Sequence, residues 1–318
     1  MKNLKIFECK DYEHWDQFIF KSPQYNFYSM SNFFRCHKYK HKLFFLKKNN
    51  EPILAFPVFL ESNIVQTIPF SYYQGIHYSK KFDNLTFFRK FSWLRYSYET
   101  ILDFLLTRFK GFFFDLHPSI RDVRFIIWYF DKNKDENFNL EPKYTAILDF
   151  TEFDSLKDIR VGYRKDRIQD LRYAENQDLK FFQDCDCKTF IDLYQKTYQK
   201  NNQEVSDNIL DTLEYFFFKM KNNMEIISLK KKNRIVASQL LFHDYKSVHA
   251  VAQVSDFDYL KYGVSSHLTD RLIECSFKKK VDFLDFNGCN SPNRADFKHS
   301  FGAKPKLFFR ISSGVNYV

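Results

Sequence analysis

The chain has 318 residues, 44% of them hydrophobic and 28% charged, with 40 Phe, 20 Tyr, 7 Gly and 8 Pro. That is the composition of a folded chain with room for two domains of about 150 residues, and it excludes disorder, collagen-like repeats and Gly-rich linkers. The formal net charge is +10, yet positions 1–150 carry 22 basic against 16 acidic residues and positions 151–318 carry 27 against 23, so neither half is a strongly basic module and surface solvation accounts for most of the excess.

Apolar runs such as 101–106 are broken by Arg108 and Lys110 well short of the roughly 20 residues that a membrane span needs. The stretch MKNLKIFECKDYEHW has acidic residues where the apolar centre of an export signal would stand, which predicts a cytoplasmic protein. Six cysteines, at 9, 36, 185, 187, 275 and 289, lack the paired spacing of a metal site and read as reduced thiols, with no metal expected.

In chain order, residues 12–20 and 28–35 read as helices. They are followed by a hairpin over 46–60 (LKKNNEPILAFPVFL) with a Lys-Asn turn. Helices at 188–199 (Phe190, Leu193, Tyr194, Tyr198) and 207–221 (Leu210, Leu213, Phe217, Met220) precede a second such hairpin at 229–242 (LKKKNRIVASQLLF), offset from the first by 182 to 183 positions. The recurrence of helix, helix and hairpin reads as an internal repeat. Strands at 225–229, 235–242 and 247–254 then lead through the loop SDFDYLKYG to a helix with Val264, Leu268 and Leu272 on one face. A strand at 281–286, the turn NGCNSPN, a helix at 294–300 and a strand at 306–311 close the order. This is an α/β layer with a mixed sheet, whose crossover at 247–286 places the loop before the helix at a sheet opening where a ligand would go.

At that loop, Lys261, Gly263, Val264, Ser265 and Ser266 span a turn and the first turn of a helix, whose unpaired amides and dipole would receive a pyrophosphate. The same residues read equally as a plain helix start. A Cβ at Gly263 is expected to crowd a ligand while leaving the fold intact. In the basic helix 163–176, Arg164, Ile168, Leu171 and Glu175 share a face, with Arg167 alongside. Arginine at the end of a buried stripe calls for an anion, either a carboxylate of the protein or a phosphate or carboxylate of an acceptor. Asn287, Asn290, Arg294 and Lys298 form a polar, basic rim suited to a sugar or peptide, or equally a loop with its cap. No Gly-x-Ser-x-Gly elbow, Walker loop or His-Glu-x-x-His is present.

The element order with its strand-to-helix turn resembles the GNAT acyltransferase fold, whose members bind acyl-CoA pyrophosphate at this helix start. Of that family's phosphate loop the chain keeps Gly263, with Lys261 as a substitute cation. The resemblance to the FemAB/CelD-like branch runs over most of the chain. It is carried by Trp15, Ile68-Pro69-Phe70, Tyr73-Gln74-Gly75, Tyr144-Thr145, the helix with Arg167, Leu171, Arg172, Ala174 and Glu175, and the closing stretch from Asn287 through Arg294, Phe297-Lys298 and Phe301-Gly302-Ala303.

The resemblance implies two tandem GNAT-like domains, near 1–150 and 151–318, each a mixed, mostly antiparallel sheet flanked by helices, with the donor pocket in the second. It implies N-acyl or aminoacyl transfer from an acyl-CoA to an amine on a cell-envelope or sugar-linked acceptor, with Arg164, Arg167, Arg172, Asn287, Asn290, Arg294 and Lys298 toward substrate. Such transfer needs a proton acceptor. His249, on the mixed face of its strand, and Asp285, at the end of the strand after the helix, are the candidates. Two alternatives stay open: an aminoacyl-tRNA donor, as in the FemABX peptidoglycan aminoacyltransferases, and a catalytically silent binding protein.

Overall fold

The computed structural model describes residues 3–134, 137–199, 203–220 and 222–314. The first repeat runs β1 (Leu4–Cys9), α1 (Tyr12–Lys21), α2 (Ser31–Phe34), β2 (Lys40–Lys48), β3 (Glu51–Glu61), β4 (Ile64–Gln66), β5 (His77–Tyr78), α3 (Phe87–Arg108), β6 (Gly111–Asp115), α4 (Arg124–Asn133) and β7 (Asn139–Asp149). After α5 (Leu156–Val161) and α6 (Lys165–Glu175), the second runs β8 (Leu179–Phe182), α7 (Cys187–Gln199), α8 (Asp207–Lys219), β9 (Met224–Lys231), β10 (Arg234–His243), β11 (Ser247–Ser255), α9 (Val264–Lys278), β12 (Phe283–Gly288), α10 (Pro292–His299) and β13 (Lys304–Ser313). The two hairpins expected from the Lys-Asn turns are β2–β3 and β9–β10. Asn49 and Asn50 both take positive φ, as a tight hairpin turn requires.

Residues 28–35 were expected to form one helix and instead give a 3-10 turn (Phe27–Ser29) and the four-residue α2. Phe27, Tyr28, Phe33 and Phe34 are all buried, so packing on every side replaces the one-sided face of an amphipathic helix. The Ser29 hydroxyl donates to the Asn26 side chain at 3.1 Å, a local bond that competes with helix.

The chain divides into two units, Met1–Lys143 with Leu307–Val318, and Tyr144–Lys306. In the first unit the strands lie in the order β1-β2-β3-β4-β6-β13, with β5 on β3; β4 and β6 are parallel, joined through α3, and the other pairs are antiparallel. In the second the order is β7-β12-β11-β10-β9-β8, with β11 and β12 parallel across α9. Each sheet is thus mixed and mostly antiparallel. The last strand of each repeat lies in the sheet of the other half: β7 pairs with β12, and β13 pairs with β6.

The core of the first unit is aromatic, with Phe44 stacked on Phe56 at 5.4 Å and edge-on to Phe104 at 4.9 Å. In the second unit Val264, Leu268 and Leu272, the stripe read from the sequence, are buried with Ile227, Leu229 and Leu284. Among the described residues no helix is long and apolar enough to cross a membrane, and no cluster of His, Cys, Asp or Glu could hold a metal ion.

Candidate functional site

β11 and β12 pair in parallel only from Ser247 opposite Phe283 to His249 opposite Asp285. Beyond that point both strands leave the ladder. β11 carries a bulge: Leu240 faces Ala252 but Leu241 faces Ala250, so Val251 is the extra residue. β12 loses register between Asp285 and Gly288, where Asn287 sits at φ 60°. Instead of a ladder bond, the Asn287 side-chain amide donates to the Ala250 carbonyl at 2.8 Å. The parallel pairing of β11 and β12 thus stops at His249 and Asp285.

His249, Asp285, Asn287 and Lys298 meet here. Asp285, 1% exposed, accepts at Oδ1 from the Thr145 hydroxyl and from the Asn287 amide at 2.7 Å. Its Oδ2 lies 3.8 Å from Nδ1 of His249, and Nε2 of that ring is 3.0 Å from the Ser247 hydroxyl. Ser247, His249 and Asp285 thus stand in the order of a hydrolytic triad. All three are buried, and the Ser247 hydroxyl also lies 3.1 Å from the Asp244 carboxylate, so no substrate reaches it.

Lys298 is the member of the cluster that keeps contact with solvent. It projects from α10, and Nζ donates to the carbonyls of Asn287 at 3.1 Å and Gly288 at 2.6 Å, which fixes it on the irregular end of β12. Burial pushes its amine down to about 8, and the Asp285 carboxylate pulls in the other direction. A lysine in that state gives up its proton far more readily than an exposed one.

The remaining rim residues separate from this group. Asn290 clasps Tyr144, accepting from its amide at 2.7 Å and donating to its carbonyl at 3.1 Å, and so holds the start of the β7 pairing. Arg294 is exposed on α10.

At the start of α9, Gly263 takes the left-handed conformation (φ 69°). A Cβ there would lie 2.6 Å from the Asp170 carbonyl oxygen of α6. Glycine is required because α6 packs against this turn, which corrects the expectation that substitution would spare the fold. Gly263→Val is expected to destabilise the second unit by about 2–4 kcal/mol, from left-handed strain plus overpacking; a urea melt measures it.

Ser266, at the same helix start, donates to the Asp170 carboxylate at 2.6 Å and accepts from Arg167 at 2.9 Å, while Arg167 pairs with Asp170 at 2.8 Å. Protein atoms therefore occupy the α6 side of that turn. Ser265 turns the other way, its hydroxyl 3.1 Å from Ser255 and its carbonyl accepting from Gln253 at 3.3 Å. Val264 is core, and Lys261 is exposed with Nζ 5.2 Å from the Tyr262 ring centre.

Arg164 and Arg167 of the basic helix find partners within the protein. Arg164 caps α6 half exposed, forked onto Asp166 at 2.8 Å and onto Asp296 at 2.6 and 3.0 Å. Arg172 is exposed. Sequence reasoning missed Thr145, Gln253 and Asp170. Thr145 and Asp170 are ordinary polar residues bonded to Asp285 and Ser266, far along the chain, and Gln253 bonds to the helix that follows its strand.

No family model matches the sequence, and no curated protein matches it. Solved structures do. The chain is similar to FemX at 10% identity, over 96% of each chain, with a TM-score of 0.68. The fold is FemAB-like. A conserved protein of unknown function from Bacteroides thetaiotaomicron shares it at 11% identity, over 98% of this chain and 99% of that one, with a TM-score of 0.59. A tandem GNAT protein from the clavulanic acid biosynthesis pathway matches at 8% identity, over 88% and 84%, with a TM-score of 0.51. The tandem GNAT-like fold that the resemblance implied is the fold these structures share with the chain.

Proposed function

We propose that the chain transfers an acyl or aminoacyl group to an amine, with the reaction centred where β11 and β12 part. The observation that carries this reading is Lys298: a partly buried amine, held on the carbonyls of Asn287 and Gly288 beside Asp285, that burial brings down to about 8. Attack by an amine on a thioester or ester requires that the amine lose a proton. His249 and Asp285, 2% and 1% exposed, do not meet a substrate directly. In this reading they support Lys298, which takes the proton. The acceptor is a cell-envelope or sugar-linked amine, with the exposed Arg294 of α10 toward it.

The donor is an acyl-CoA or an aminoacyl-tRNA. On the α6 side of the α9 start the Asp170 carboxylate accepts from Ser266 and pairs with Arg167, which leaves both donors open. The test is a thermal-shift comparison of acetyl-CoA, longer acyl-CoAs and total tRNA. A rise in Tm with one donor class assigns it; no rise with any of them favours a silent binding protein.

A further inference from the structure

The first turn of α3 exposes two consecutive phenylalanines, Phe87 at 80% and Phe88 at 75%. The same unit buries Phe44, Phe56 and Phe112 to 4% or less, so its packing does not call for two bare rings side by side. Each would be more stable out of water. Around them stand cations. Lys80 and Lys81 lie in the 3-10 turn Lys80–Asn84 just before the helix, and Arg89 and Lys90 follow within its first turn and a half. Lys48 extends the group: its amine is held below its ordinary value by burial and then by the nearby Arg89. The carboxylates of this stretch are Asp83 and Glu51, and Glu51 is already bound to Lys81.

We infer that this tip of the first unit docks on an anionic lipid bilayer, with Phe87 and Phe88 at headgroup depth and the lysines and arginine on lipid phosphates. The rings stand out from the surface instead of lining a groove, which suits a fluid able to wrap both of them better than a folded partner. Aromatic rings favour the membrane interface, and basic residues beside them add attraction to anionic lipid. Two rings and a few charges give reversible, salt-sensitive association, not permanent anchoring. The inference does not rest on the transferase reading, because binding is read without donor or acceptor.

The full chain should co-sediment with phosphatidylcholine–phosphatidylglycerol vesicles, less so as salt is added, and far less with pure phosphatidylcholine. Phe87→Ser with Phe88→Ser should weaken that binding about tenfold or more, and Arg89→Gln or Lys90→Gln about fivefold each. A Phe87→Trp variant, which keeps the aromatic surface, should bind like the parent and shift its emission to the blue on anionic vesicles. Three results would overturn the inference: no sedimentation with anionic vesicles, no blue shift, or equal binding by the double serine variant. So would vesicle-free self-association of the parent that the serine variant lacks, since the patch would then be a face between copies.

Discussion

Replacing Lys298 with Met is expected to lower acyl transfer by about a hundredfold or more, the lower end of what a positioned proton acceptor contributes. The experiment uses whichever donor raises Tm. The sign of the pH dependence follows from the direction of the shift. The amine must be neutral to accept a proton and is neutral above about 8, so kcat/KM of the parent rises with pH through about 8 and then levels. Lys298→Met should remove that rise. Lys298→Arg keeps the charge and the reach to the two carbonyls but cannot deprotonate, so it should be as inactive as the Met variant. Activity retained in the Arg variant would show that a cation, not a base, is needed. Asp285 raises the Lys298 value. Asp285→Asn should therefore move the bend in the profile to lower pH, a readout that simple loss of structure would not produce.

Replacing Arg310 with Met is expected to cost the first unit about 3 kcal/mol, the scale of stranding a buried charge. Arg310 on β13 forks onto Asp115 at the end of β6, with bonds of 2.6 and 2.8 Å between directly paired residues. Asp115 is buried, so without its partner it holds an uncompensated carboxylate. Urea unfolding should show the loss, and Arg310→Met combined with Asp115→Asn should recover most of it. A double variant as unstable as the single would place the effect in the lost arginine stem and not in the charge. Gly263→Val should leave this unit's transition in place, since its strain lies in the other.

The repeat was legible because a basic, polar two-residue turn between apolar strands is a local pattern, and it occurs twice, each time after a stretch read as a helix pair. The face of α9 was legible for the same reason: Val264, Leu268 and Leu272 follow helical period in sequence and are buried in the structure. Residues 28–35 misled because Tyr28, Phe33 and Phe34 are buried on every side, so tertiary packing and not a one-sided face sets their backbone.

At the site, the sequence brought out Asp285, His249, Asn287 and Lys298 but not their ranking. Which of them meets solvent depends on burial, and burial is fixed by Thr145, Ala250 and α10, elements that are distant along the chain. Gly263 was singled out for the approach of a ligand to the backbone, and the structure adds a cause within the protein, the close packing of Asp170. A positive φ is visible in a strand-to-helix turn, whereas the approach of Asp170 is a tertiary fact.

The late arrival of β13 bears on how the protein is made. Sheet partners of β6 on one side are synthesised early, but Leu307–Ser313 leaves the ribosome almost 200 residues later, a lag on the order of 10–40 s at ordinary translation speed. Through that interval Asp115 has no guanidinium from β13, and one margin of β6 lacks the strand that pairs it in the folded chain.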